Sequence, residues 1–229
     1  MMATISLSES LREAIQHNND GVFLIESGCY QEARRSLQTA LTQTRTVTRA
    51  MQQDGILPKH ARSIRYRWAQ SAPLNQAKSD PFVFRRALSI VPVGELELSS
   101  CRAESTTMLY NLGLSFHLEG ASIQHDKVAY SQMLQRALEC YRVAVSMRQK
   151  PKSERQSSRI TGEQLFDLGI ANNAAEIHLS FMNYEEAAVF YEHISEILPR
   201  LKDLLPREDL TGFCLNLASF TVPRMAAAA

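Results

Sequence analysis

The most informative side chains in this sequence are asparagines. Two adjacent pairs, Asn18-Asn19 and Asn172-Asn173, and the single Asn111 lie inside stretches of helical apolar periodicity. A primary amide donates and accepts at once, so it can pair with both main-chain groups of an extended peptide without reading that peptide's side chains. Other chemistries have weaker support. His17, His60, His117, His125, His178 and His193 show no metal-ligand spacing; His178 and His193 could meet across one hairpin, but two histidines do not define a metal site. Serine, histidine and aspartate are present without a nucleophile elbow, and no phosphate-cradling glycine loop occurs. No catalytic residue, metal or cofactor is therefore assigned, and the expectation is a protein that is not an enzyme.

A second chemical feature is a basic stretch interleaved with aromatics. Arg45, Arg49, Lys59, Arg62, Arg65, Arg67, Lys78, Arg85 and Arg86 outnumber Asp54 and Asp80, and Tyr66, Trp68, Phe82 and Phe84 lie among them. Arg62, Arg65, Arg67, Arg85 and Arg86 form the candidate patch for phosphates or an acidic partner, with the rings available for base stacking. The competing reading is a solvated loop whose aromatics anchor it to the rest of the fold. Arg34-Arg35-Ser36 and Arg155-Gln156-Ser157-Ser158 have the short pattern of basic-directed phosphorylation sites, a pattern common by chance.

The chain has 229 residues, 45% of them hydrophobic, and a net charge of +1, as in an ordinary globular protein with no strong overall field. Cys29, Cys101, Cys140 and Cys214 are widely spaced and read as reduced thiols, mostly small core residues. The first ten residues lack the basic and apolar regions of a signal peptide, and no apolar run is long enough to span a bilayer. An intracellular, cytoplasmic location without membrane association is expected.

The elements that must position the asparagines are helices. A helix over about Leu7 to Ser27, capped by Ser6 or Ser8, carries Leu11, Ala14, Ile15, Val22 and Ile25 at helical spacing, and Gly28 stops it. A second, about Tyr30 to Thr46, carries Ala33, Leu37, Ala40 and Leu41. Further helical hairpins are expected over about 102–150 and 161–200, with Thr161 and Gln164 as a capping box, Pro151 to Ser158 as a polar linker, and a final helix over about 207–220. The intervening stretch 47–101 is punctuated by Gly55, Pro58, Pro73, Pro81, Pro92 and Gly94. Within it Ile64 to Ala69 suggests a short helical turn. Phe82 to Val91 has strand character and is expected to pack in extended form against the helices.

The hairpins share a pattern. The first has Gly21, Gly28, Tyr30, Ala33, Leu37 and Ala40; the second Leu109, Leu112, Gly113, Phe116, Gly120, Ala137, Tyr141 and Ala144; the third Ala171, Ala174, Ala175, Tyr184, Ala187, Tyr191 and Pro199. These resemble the small and large positions of the tetratricopeptide repeat, and the layout is similar to helical-repeat proteins of unicellular algae. The departures are His17 and His178 at large-residue positions and about a dozen extra residues near Ala121 to Met133. The resemblance implies an all-α, tetratricopeptide-like solenoid: one domain of three antiparallel hairpins, a long insertion with a short extended segment, and a C-terminal capping helix. It also implies that Asn19, Asn111 and Asn173 occupy one equivalent position, on helices lining a concave groove, where an asparagine binds ligand main chain. Asn18 and Asn172 precede two of them. A purely structural role, in which each amide ties neighbouring helices together, remains the alternative. Val22, Glu26, Leu114, Leu118, Glu176 and Ser180 stand at the neighbouring groove positions in place of lysines and arginines, so a clamp for a terminal carboxylate is not expected. The function expected is a non-enzymatic scaffold for an extended peptide or helix. The alternatives are association with nucleic acid through the basic stretch, or a homodimer paired through an exposed 82–91 segment.

Overall fold

A computed structural model describes residues 2–55, 65–73, 81–91, 101–148 and 162–227. These contain seven helices and one two-stranded sheet: α1 Met2–Glu26, α2 Tyr30–Gln53, β1 Arg65–Ser71, β2 Arg86–Val91, α3 Arg102–Ser122, α4 Lys127–Arg148, α5 Gly162–Ser180, α6 Tyr184–Leu201 and α7 Arg207–Ala227. The protein is thus mostly helical, as the periodicity predicts. The chain divides into two compact units, Met1–Leu74 with Arg85–Gln149, and Asn75–Phe84 with Lys150–Ala229.

In the first unit, α2 buries Tyr30, Ala33, Leu37, Ala40, Thr44, Val47 and Met51. That alternation of three and four residues is one helical stripe, and it faces α1. By contrast, α3 is buried on nearly all sides, from Glu104 to Gly120. Small residues set the spacing. A Cβ at Gly21 would lie 2.7 Å from Leu37 Cγ, and one at Gly113 would lie 2.8 Å from the Tyr141 ring. Leu11, Ile15, Val47, Met51, Cys101 and Met108 form a core that also receives Ile90 of β2. β1 and β2 are antiparallel, with Trp68 opposite Leu88 and Tyr66 opposite Ile90, and an irregularity between Trp68 and Ser71.

In the second unit, α6 buries Ala187, Ala188, Tyr191, Ile194, Ile197, Leu198 and Leu201. The Tyr191 ring stacks on Phe220 of α7, centroids 4.5 Å apart. Residues 81–84 lie in this unit in extended form.

The two hairpin turns α1–α2 and α5–α6 are built alike. After α1, Gly28 N–H donates to Ile25 O at 3.0 Å and Cys29 N–H to Leu24 O at 2.8 Å. After α5, Met182 N–H donates to Leu179 O at 2.9 Å and Asn183 N–H to His178 O at 2.8 Å. Both are Schellman closures, which need a left-handed residue at the turn. Gly28 supplies φ 76° without strain, whereas Met182 supplies φ 58° with a side chain that is 76% exposed.

Several boundaries differ from expectation. α1 begins at Met2, so Ser6 and Ser8 lie inside it, and α2 continues to Gln53. The residues near Ala121 to Met133 are absorbed largely by longer helices, leaving Ile123 to Asp126 as the turn; Asp126 caps α4 by accepting from Val128 and Ala129 N–H at 3.1 and 3.0 Å. α6 runs past Pro199 to Leu201. Ile64 to Ala69 does not make a helical turn. Arg65 to Ser71 is a strand, because its alternation of Tyr66 and Trp68 with arginines suits a two-faced sheet. All four cysteines are free, as expected; Cys101 is buried, but Cys29 and Cys214 are exposed and are not core residues. The Pro151 to Ser158 linker and Thr161 lie outside the described residues.

Two substitutions test these features. Met182→Gly removes the left-handed strain of an exposed side chain and should raise stability by about 1 kcal/mol in urea unfolding. Gly113→Ala forces its new methyl against the Tyr141 ring and should lower stability by about 1–3 kcal/mol.

Candidate functional site

An extended strand exposes polar main-chain groups along two edges. In the first unit, one edge of β2 faces β1, and Arg85 O, just before β2, accepts from Ala72 N–H at 3.1 Å. The other edge faces asparagine side chains of α1 and α3. Leu88 N–H donates to Asn111 Oδ1 at 2.9 Å, and Asn111 Nδ2 returns a bond to Leu88 O at 2.9 Å. Two residues on, Ile90 N–H donates to Asn19 Oδ1 and Asn19 Nδ2 donates to Ile90 O, both at 2.9 Å. Each amide therefore takes both main-chain groups of one strand residue, as a neighbouring strand would.

Asn18 joins the two grips. Its Nδ2 donates to Leu88 O at 3.2 Å and to Asn19 Oδ1 at 3.1 Å, and its Oδ1 accepts from Asn111 Nδ2 at 2.9 Å. Tyr110, the residue before Asn111, donates its hydroxyl to Arg86 O at 2.9 Å.

The second unit repeats this wiring on residues 82 and 84. Phe82 N–H donates to Asn216 Oδ1 at 2.8 Å, and Asn216 Nδ2 donates to Phe82 O at 2.7 Å. Phe84 N–H donates to Asn173 Oδ1 at 2.8 Å, and Asn173 Nδ2 donates to Phe84 O at 2.9 Å. Asn172 does here what Asn18 does in the first unit: Nδ2 donates to Phe82 O at 2.9 Å and to Asn173 Oδ1 at 3.2 Å, and Oδ1 accepts from Asn216 Nδ2 at 2.9 Å. In both units the earlier helix grips the later strand residue, so helix order runs against the segment's direction.

Asn18, Asn111, Asn172 and Asn173 have no exposed surface, and Asn216 is 5% exposed. Asn19 is half-buried. Burying an amide without partners costs about 1–3 kcal/mol, so these side chains depend on the segment as much as it depends on them.

All five asparagines singled out from sequence are thus placed on an extended segment, and that segment belongs to the same chain. Sequence reasoning missed Asn216 and Tyr110. Treating α7 only as a cap hid Asn216, the buried polar residue on the face that also carries Phe213. The segment packs in extended form, as expected, and the alternative of an exposed 82–91 segment is corrected: Val83, Phe84, Ala87, Leu88, Ser89 and Ile90 are buried.

The basic stretch is differently placed. Arg62, Lys59 and Lys78 lie outside the described residues, and Arg65 begins β1. Arg67 is exposed on β1, Arg85 is half-buried, and Arg86 is half-buried with Nη1 donating to Ala69 O at 3.4 Å. The aromatics are engaged internally: Tyr66 packs on the first core, Trp68 lies edge-on to Tyr110, and Phe82 and Phe84 pack on Phe213. Ser36 of the first basic-directed motif donates its hydroxyl to His17 O. The second motif lies outside the described residues. His117 is buried against Tyr141, and His178 stacks on Phe190. Among the described residues no group of three metal-ligating side chains comes together, and no helix is long and apolar enough to cross a membrane.

Two carboxyls are buried near these elements. Glu104, in the first turn of α3, and Glu176, one turn after Asn173, are each 4% exposed. Desolvation raises both from 4.5 to about 7, and Glu176 accepts the Tyr191 hydroxyl, which tempers its rise.

Comparison of the chain with family models, curated proteins and solved structures finds no match.

Asn111→Ala leaves Leu88 N–H without its buried acceptor and should lower stability by about 2–4 kcal/mol, with faster hydrogen exchange at Leu88 and Ile90. Asn19→Ala, at the half-buried grip, should cost about 1 kcal/mol. The carboxyls bind protons more tightly folded than unfolded. Their contribution therefore falls as pH rises from about 4.5, and the loss is complete above about 7. Glu176→Gln, which keeps an acceptor for Tyr191, should raise the melting temperature at pH 8 and leave it unchanged at pH 4.

Proposed function

We propose that this chain is a non-enzymatic, tetratricopeptide-like binding scaffold whose asparagine clamps, one in each unit, are sites for extended polypeptide, with Leu88 and Ile90 as the resident occupants of the first and Phe82 and Phe84 of the second. The observation that carries the reading is the four-fold bidentate grip on residues 82, 84, 88 and 90. An amide that holds both groups of a residue serves any extended main chain in the same register, whatever its side chains. The outside partner is a protein segment presented as a strand with N–H groups free at alternate residues; a proline at a gripped position is excluded because it has no N–H to donate.

The resident segment is tethered, and its effective concentration at the site is on the order of millimolar. An outside segment must outcompete it or meet a chain in which it has loosened. A strongly exposed basic and aromatic surface would have favoured nucleic acid, but the rings of the basic stretch are packed internally. A pairing edge for a second copy is likewise taken on β2, by β1 on one side and amides on the other.

The test uses the full chain with Phe82→Ala and Phe84→Ala, which weakens the resident segment and leaves every asparagine in place. A labelled peptide with the native sequence of residues 81–91 should bind saturably. N-methylation of its residues 82 and 84, or Asn173→Ala with Asn216→Ala in the chain, should weaken binding about ten-fold or more. Absence of saturable binding to the folded chain overturns the reading.

A further inference from the structure

The two amide clamps hold main chain identically, yet the side chains they present to their surroundings differ. In the first unit the gripped residues are Leu88 and Ile90, and Ile90 enters an aliphatic core with Leu11, Ile15 and Met108. In the second they are Phe82 and Phe84. Residues two apart on a strand point to one face, so both rings fall on the same side of the segment. There they meet Phe213 of α7. Phe82 lies edge-on to it at 5.3 Å with an interplanar angle of 77°, and Phe84 is tilted at 5.4 Å and 34°. Phe213 and Phe84 have no exposed surface. The residue before Phe213 is Gly212, which is buried, and a Cβ built there would overlap the Phe82 ring.

We infer that the second clamp is selective for an extended segment with aromatic side chains two residues apart, and that Gly212 and Phe213 set this selectivity. The inference rests on the reading of the clamps as peptide sites and adds the chemistry of the second one's ligand. Asn173 and Asn216 fix the register of the main chain. The bare Cα of Gly212 then leaves room for a flat ring at the first gripped position, and Phe213 offers one aromatic surface that contacts both rings. Edge-on and tilted aromatic contacts are worth about 0.5–1.5 kcal/mol beyond their buried area, which aliphatic side chains at these positions do not gain. α7 is therefore both clamp and selector: Asn216 and Phe213 lie three apart, on one face of the helix.

The test varies side chains on a constant main chain. The full chain carrying Phe82→Ala and Phe84→Ala is titrated with three peptides of residues 81–86, one native and two with leucine or alanine at both aromatic positions. The native peptide should bind at least about ten-fold tighter than either. Adding Gly212→Ala to the chain should abolish that preference while leaving the alanine peptide's affinity unchanged. Equal binding of all three peptides overturns the aromatic selectivity and leaves the peptide-site reading standing, whereas binding by none overturns both.

A double-mutant cycle in the intact chain decides the matter if the doubly substituted chain does not fold. Gly212→Ala should lower the melting temperature, and Phe82→Ala in the Gly212→Ala chain should be milder than Phe82→Ala alone. Additive effects would overturn the role of Gly212.

Discussion

A strand with one edge against another strand and the other edge in a helical interior must find hydrogen bonds for that second edge, or forfeit about 1–3 kcal/mol for each buried group left alone. Helices have no main-chain groups to offer, since their own N–H and C=O are used along the axis. The remaining source is a side chain that donates and accepts in one plane at the reach of a neighbouring strand, and the carboxamide of asparagine satisfies all three conditions. In the first unit such amides meet residues 88 and 90, and in the second the same device holds residues 82 and 84, which are extended but lie outside the sheet.

The delivery is mechanical. Glycines at 21 and 113 let α1 approach α2 and α3 approach α4 closely, which holds the asparagine-bearing helices at fixed depth. Matching Schellman closures at Gly28 and Met182 return the chain from α1 and α5 in the same manner. Asn18 and Asn172 then lock the neighbouring amides to one another, so the flip state of each grip is fixed by its partner rather than left to the strand alone. Pairing is not complete nearby: Glu104 and Glu176 each keep one oxygen without a hydrogen-bond partner among the described residues.

Much of this was legible from residue types. The helices follow from their apolar stripes, and the extended character of Phe82 to Val91 follows from β-branched and aromatic residues between prolines. The asparagines stood out because an amide on an apolar helical face needs a reason. What was not legible was that the two features are one site. Periodicity within a segment reports which face is buried and not what buries it, so the segment was expected to pack on the helices and the amides were read either as open to an outside peptide or as ties between helices, and neither reading joined the two. Asn216 escaped because a terminal helix was judged by the apolar face it covers, not by the single polar residue on it. β1 escaped because Tyr66 and Trp68, spaced two apart, are too short a run to outweigh a helical reading until the partner strand is known.

The placement of the gripped segment between α2 and α3 has a consequence for the birth of the molecule. A ribosome releases residues in order, and when Leu88 and Ile90 emerge, Asn18 and Asn19 already exist while Asn111 follows shortly after. Phe82 and Phe84, made earlier, wait for Asn172, Asn173 and finally Asn216. At about 5–20 residues per second that interval is several seconds or more. Throughout it, the most aromatic part of the segment is a nascent strand without its acceptors, and the chain's exposure to chaperones and to self-association is concentrated there.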